Sequence, residues 1–254
     1  MKKIKALPHD RILSAVNGGQ DTESDGEDGD HFMADISVTF ASRGRPDSLL
    51  KTIGSLIKTA MEPEHLEIIV AVDPDDAGTL HLMQEGFLPG PARFWVAPER
   101  YGYNGLNLYL NELARIAKGD WLFWFNDDMR MITLGWDDAI RASRPAVIWP
   151  VANHVDHANI APAWPRAWSD ATGHASPAKH VDTYWQRIGE TLQRHDRLPI
   201  TILHDRADVT GNHDDQTYAE GRKLLGSEGM APGWDEDAFQ QQVAADASII
   251  RGLL

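Results

Sequence analysis

The feature that most restricts how this chain can fold is the run Trp121-Leu122-Phe123-Trp124-Phe125, followed at once by Asn126-Asp127-Asp128. A strand with one wetted face alternates apolar and polar residues. A run with no polar position is covered on both faces, as the central strands of parallel sheets are. Two carboxylates cannot continue such a strand into the core unpaired, because burying an unpartnered charge is prohibitive. The strand is therefore expected to end at a sheet rim, with the acidic turn at its carboxyl end.

The flanking sequence supplies the rest of that sheet. Ile36-Ser37-Val38-Thr39-Phe40 alternates like a strand and runs into the turn Ser42-Arg43-Gly44-Arg45-Pro46. Pro46 and Asp47 open a helical pattern carried by Leu49, Leu50, Ile53, Leu56 and Ile57. Leu66 to Val72 reads as a second strand, ending in Asp73-Pro74-Asp75-Asp76. A helix is expected over 77–86, a short strand over 93–96, and an amphipathic helix over 105–117 with Asn104 as its N-cap. A further strand is expected over 146–149. Strands alternating with helices predict an α/β fold, a mainly parallel sheet flanked by helices. Ligands of such sheets bind beyond the carboxyl ends of the strands. Ser42-Arg43, Asp73 to Asp75 and Asn126 to Asp128 should therefore converge on one edge.

The organisation along the chain is uneven. Residues 1–33 read as an N-terminal extension, and its segment Asp21 to Asp30, acidic and without an apolar anchor, is expected to be a flexible linker. Residues 34–254 read as one domain. Its irregular second half, 151–254, is rich in Trp, Pro and His, with a helix near 180–194 and a short strand near 200–203. Trp164, Trp168, Trp185 and Trp234 read as packing residues.

Composition narrows the function. A net charge of −14 opposes bare nucleic acid as a partner unless a basic cleft is local. The absence of cysteine excludes disulfides, thiolate metal sites and cysteine nucleophiles. No apolar run reaches the ~20 residues that span a bilayer, and no signal-peptide core follows Met1-Lys2-Lys3. A cytoplasmic protein without membrane insertion is the expectation.

The order of these motifs resembles GT-A fold glycosyltransferases close to family 2. The likeness rests on Ile36 to Arg45, on Val72-Asp73-Pro74-Asp75, and above all on Asn111 to Trp121 with its Ala117-Lys118-Gly119-Asp120, followed by Phe125-Asn126-Asp127-Asp128. The chain departs from the family's Asp-x-Asp at Asn126.

The resemblance implies a GT-A (Rossmann-like) fold, with 34–150 as the nucleotide-sugar-binding half and 151–254 as the acceptor-side, metal-completing half. It implies Ser42, Arg43, Asp73 and Asp75 around the base and diphosphate, with Asp73 accepting from a base imide and so favouring a UDP-linked donor. It further implies Asn126 and Asp127 facing the ribose and donor sugar, and Asp128 as the ligand of Mn²⁺ or Mg²⁺. The tail, His180 to Trp185, Ile202 to Asp205 and Asp214 to Tyr218, is similar to that of phage and bacterial relatives. It implies Asp182 as the catalytic carboxylate and His204, with His213 as rival, as the late metal ligand. Asp182 reads equally as a first-turn helix acid. The implied partners are a nucleotide-sugar donor and an acceptor that is a glycan, a small molecule or a hydroxymethylated phage-type DNA base. Two other readings stand beside this one, a nucleotidyltransferase and a non-catalytic nucleotide-sugar or glycan-binding module. The turn Ser42 to Pro46 is only a weak version of the Gly-rich basic loop a nucleotidyltransferase needs.

Overall fold

The computed structural model describes residues 12–13, 34–153, 158–206, 210–211, 215–225 and 236–254. The acidic segment 21–30, His213 and Trp234 lie outside the described residues.

The strands are β1 (Ile12–Leu13), β2 (Ile36–Ser42), β3 (Leu66–Val72), β4 (Ala92–Val96), β5 (Trp121–Trp124), β6 (Met129–Met131), β7 (Val147–Ala152), β8 (Ala163–Pro165) and β9 (His195–His204). They form one sheet in the order β1-β4-β3-β2-β5-β8-β7-β9-β6. β4, β3, β2 and β5 are mutually parallel, as the sequence pattern predicts. Beyond β5 the sheet turns mixed: β8 is antiparallel to both β5 and β7, β9 runs parallel to β7, and β6 closes the edge antiparallel to β9. β1 pairs antiparallel with β4 at the other edge.

The apolar run behaves as its composition requires. Trp121, Phe123 and Phe125 enter one core with the helix α1 (Pro46–Thr59), while Leu122 and Trp124 enter a second core on the opposite face with α3 (Leu106–Ile116). Helix α2 (Ala77–Gln84) packs through Leu82 into the first core, as does α4 (Trp136–Arg141) through Trp136 and Ile140. The second core takes Trp168 from α5 (Arg166–Thr172), Tyr184 and Trp185 from α6 (Val181–Leu192), and Phe239 and Val243 from α8 (Glu236–Arg251). Helix α7 spans Gln216–Leu225. Trp164 and Trp185 stack at 4.2 Å between ring centres, so these tryptophans are core.

One polar network fixes where β5 begins. Glu67 on β3 is buried, yet its carboxylate accepts from Ser37 Oγ at 2.6 Å, from Lys118 N at 2.8 Å and from Arg93 Nη2 at 2.7 Å. Gly119 N in turn donates to Ser37 Oγ at 2.9 Å. The Ala-Lys-Gly-Asp segment is thus a backbone plug against the amino end of the sheet.

Two expectations change. Asn104 is not the N-cap of α3. A 3-10 turn over Tyr103–Gly105 precedes the helix, Gly105 takes the cap position, and the Asn104 side chain accepts from Lys179 instead. The strand near 200–203 is ten residues long, His195–His204, because pairing with both β7 and β6 extends a segment whose own residues alternate only weakly.

The plug gives a stability test. A Cβ on Gly119 would lie 2.5 Å from Ser37 N and 2.8 Å from Ile36 C, both backbone atoms that cannot yield without breaking β2 register. Gly119→Ala is expected to destabilise by about 1–3 kcal/mol. Gly54→Ala, in mid-helix α1 with no atom within 4 Å of the new Cβ, is expected to stabilise by about 0.5–1 kcal/mol. Denaturant melts of both variants check the pair; equal effects would refute the plug.

Candidate active site

The carboxyl ends of β2, β3 and β5 open on one cleft of about 1030 Å³. Its walls include Ser42, Arg43, Asp73, Asn126, Asp127, Asp128, Asp182 and His204. Asp75, expected with them, stands beside the cleft and reaches it through Arg43. That guanidinium donates to Asp73 at 2.9 Å and forks onto Asp75 at 2.5 and 3.0 Å. Arg43 thereby holds the exposed Asp75 below the usual carboxylate range. Asp73 also accepts from the Tyr109 hydroxyl, and burial together with that bond pushes the phenol up to about 12.

The acidic turn is fastened from beneath. Ser48 Oγ and Thr52 Oγ1 on α1 each lie 2.8 Å from the Asp127 carbonyl oxygen, and Thr52 Oγ1 is also 2.8 Å from the Met129 carbonyl. Arg130 donates onto both hydroxyls, at 3.0 and 2.7 Å. These contacts set the turn's height relative to the helix that follows β2.

Its side chains are paired as follows. Asp127 is buried and accepts from Ser42 Oγ at 2.8 Å and from Arg45 Nη1 at 2.9 Å. The same Arg45 nitrogen is 3.4 Å from Asp128 Oδ2, and the guanidinium forks from Nε and Nη2 onto Asp215. Tyr218 donates its hydroxyl to Asp128 Oδ2 at 2.8 Å, and its ring lies under Arg45 at 5.0 Å. On the other side, His204 Nε2 is 3.2 Å from Asp128 Oδ1. Burial works against the charge of Arg45, but Asp215, Asp127 and Asp128 outweigh it and raise its pKa. Burial likewise disfavours ionised Asp128, yet His204, Tyr218 and Arg45 hold it below the ordinary value. Asp127 has fewer compensating partners. Burial, opposed by Arg45 and reinforced by Asp128, pushes it up to about 6.

Asp182 sits in the first turn of α6, where its Oδ1 accepts from Thr183 N at 2.7 Å. The first-turn role and a place on the cleft wall hold together. Burial raises its pKa, with the Thr183 amide opposing. Lys179, His180 and Arg206 line the same cleft, where five arginine and lysine side chains face five carboxylates, in a protein of net charge −14.

Several cleft residues carry no assignment from the sequence. Arg45 reads there only as part of a turn, Arg100 and Tyr109 belong to a loop and a helix face, and Tyr218 appears only as the end of a tail segment. Arg45 alone carries a sequence signal, since it stands immediately before the Pro46 that starts α1 and so at the mouth of the β2 turn.

A divalent cation fits one part of this arrangement. Asp128 Oδ1 and His204 Nε2 are buried, adjacent and on the cleft wall, and a carboxylate oxygen with an imidazole nitrogen is a donor set that Mn²⁺ accepts. Asp35, Glu62 and His65 also cluster, but at the amino ends of β2 and β3, opposite the cleft, with Arg141 donating to Glu62 at 2.9 Å.

Comparison with known proteins agrees with the geometry. The glycosyl transferase family 2 model matches residues 37–132, the segment from β2 through β6. No curated protein matches the chain. Among solved structures, S. aureus TarS shares 12% identity over 84% of this chain and 42% of its own, with a TM-score of 0.55. Its 1–349 fragment in complex with UDP-GlcNAc gives 13% identity, 84% and 71% coverage and a TM-score of 0.55. The mannosyltransferase PcManGT from Pyrobaculum calidifontis, in complex with GDP-Man and Mn²⁺, gives 14%, 86% and 70%, and 0.57. At such identities the likeness is one of fold, and the chain spans less than half the length of full TarS. What the comparison defines is the fold, that of the GT-A glycosyltransferases. Over residues 37–132 the chain is similar to glycosyl transferase family 2.

The buried turn predicts a pH effect. Folded Asp127 keeps its proton up to about pH 6, whereas its ordinary value is 3.8. Protonation therefore favours the folded state; that contribution is complete below about pH 4 and is lost as pH rises through about 6. Asp127→Asn cannot lose a proton. Its melting temperature minus that of the native chain is expected to rise between pH 4 and pH 7, and a difference independent of pH would refute the assignment.

Proposed function

We propose that the chain is a divalent-metal-dependent glycosyltransferase that moves a sugar from a nucleoside-diphosphate sugar, UDP-linked, to an acceptor hydroxyl. The observation that carries the reading is the pairing of Asp128 Oδ1 with His204 Nε2 on the wall of the cleft that also contains Ser42, Arg43 and Asp73. Solved structures of the same fold support it, one with UDP-GlcNAc and one with GDP-Man and Mn²⁺.

In this reading Asp73 accepts a hydrogen bond from the base imide, and Arg43 with Ser42 lines the approach to the base and diphosphate. Asn126 and Asp127 face the ribose and donor sugar. Asp128 and His204 hold Mn²⁺ or Mg²⁺, whose positive charge offsets the charge that grows on the diphosphate leaving group. Asp182 takes the proton of the acceptor hydroxyl. Its Oδ1 is engaged by the Thr183 amide, so Oδ2 is the oxygen for that proton. Burial raises its pKa, which makes it a stronger general base when ionised. The acceptor, whether a glycan, a small molecule or a hydroxymethylated base, enters beside Asp182, Lys179 and His180.

Four measurements test this. A thermal-shift screen of nucleotide sugars with and without Mn²⁺ is expected to select a uridine donor. Asp182→Asn is expected to lower turnover by 10²–10⁴-fold while donor affinity is kept; native turnover in that variant removes Asp182 from the mechanism. Asp128→Ala is expected to abolish the Mn²⁺ dependence of donor binding, and equal native affinity with and without metal would sink the metal assignment. Release of pyrophosphate instead of nucleoside diphosphate would replace the reading with nucleotidyl transfer.

A further inference from the structure

The two oxygens of Asp128 have different neighbours. Oδ1 lies beside His204 Nε2 at 3.2 Å. Oδ2 accepts the Tyr218 hydroxyl at 2.8 Å and lies 3.4 Å from Arg45 Nη1. A carboxylate on a single rotatable bond otherwise offers either oxygen, or both, to a cation. Here Oδ2 is engaged by Tyr218 and Arg45, and Oδ1 is paired with His204, itself a potential metal ligand.

The character of the two donors suits a metal site. The Tyr218 hydroxyl is neutral and adds no repulsion to an incoming cation. Arg45 is charged, but its tighter contacts are to Asp127, at 2.9 Å, and to the Asp215 carboxylate. Its charge is thus spent mainly on carboxylates other than Asp128. The Tyr218 ring under the guanidinium, 5.0 Å from it, ties the two donors into one unit. Tyr218 reaches the acidic turn from α7 and Arg45 from the start of α1, and α7 is further anchored where Arg100 donates to Glu220 at 2.6 Å.

We propose that Tyr218 and Arg45 are positioning residues for the cation. They hold Asp128 Oδ2 so that Oδ1, beside His204, is the ligand oxygen, and the docking of α7 thereby sets metal affinity. This rests on the assignment of the metal to Asp128 and His204. Outer partners of this kind typically govern affinity by 10–100-fold when removed.

The test is Mn²⁺ affinity without donor, read from the free-ion EPR signal during titration of the full chain. Tyr218→Phe deletes one oxygen and is expected to weaken Mn²⁺ binding about tenfold or more, with its melting temperature near the native value. Arg45→Lys keeps a charge but not the fork that spans three carboxylates, and is expected to weaken Mn²⁺ binding in the same direction. Native affinity in Tyr218→Phe overturns the proposal. Tighter binding also overturns it, because Tyr218 would then compete with the metal for Asp128. If the native chain itself binds no Mn²⁺, the metal assignment fails and this inference fails with it; native binding lost in Asp128→Ala but kept in Tyr218→Phe refutes the positioning role alone.

Discussion

A guanidinium buried among carboxylates holds this structure's two halves in one site. Arg45 leaves the β2 turn, meets Asp127 and Asp128 at the end of β5, and forks onto Asp215 ahead of α7. Each of these groups would be costly to bury alone. Removing one partner of a buried charge pair typically costs about 3–5 kcal/mol, because the other is left uncompensated. The cleft therefore exists in this shape only while all of them are present, and the acidic turn is as much a structural joint as a ligand surface.

The joint depends in turn on the strand register. β2 pairs in parallel with both β3 and β5, so Ser42, Asp73 and the Asn126 turn leave the sheet at one edge. The plug of Gly119, Ser37 and Glu67 at the opposite end fixes how far β5 slides against β2. A slip of one residue would exchange the two cores, sending Trp121, Phe123 and Phe125 to the face that now takes Leu122 and Trp124. Packing at one end of the sheet thus determines the geometry of chemistry at the other.

The cleft differs in charge from the protein as a whole. Net charge describes the long-range field, which salt screens over about 8–10 Å. Within the cleft, Arg43, Arg45, Arg100, Lys179 and Arg206 are matched by Asp73, Asp127, Asp128, Asp182 and Glu220. Several of their charges are already shared with Asp73, Asp75, Asp127, Asp215 and Glu220, so the site is a balanced network rather than a bare basic patch.

Local pattern alone determined much of this protein. The apolar run from Trp121 to Phe125 dictated a strand covered on both faces, alternation and capping dictated the βα order of residues 36–124, and strand ends dictated where polar loops gather. Those inferences hold because hydrophobic periodicity and turn chemistry act over a few neighbouring residues. Only the tertiary structure decided the rest. β6, β8 and the full length of β9 form because neighbouring strands complete their hydrogen bonds, not because their own residues demand it. Asn104 lost its capping role to Gly105, since Lys179 arrives from a distant loop to take its side chain. Arg45 and Tyr218 gained theirs because the fold brings Asp127, Asp128 and Asp215 within reach of one guanidinium and one hydroxyl. Pairings between residues so far apart in sequence leave no local signature, and they decide how the acidic turn presents its oxygens.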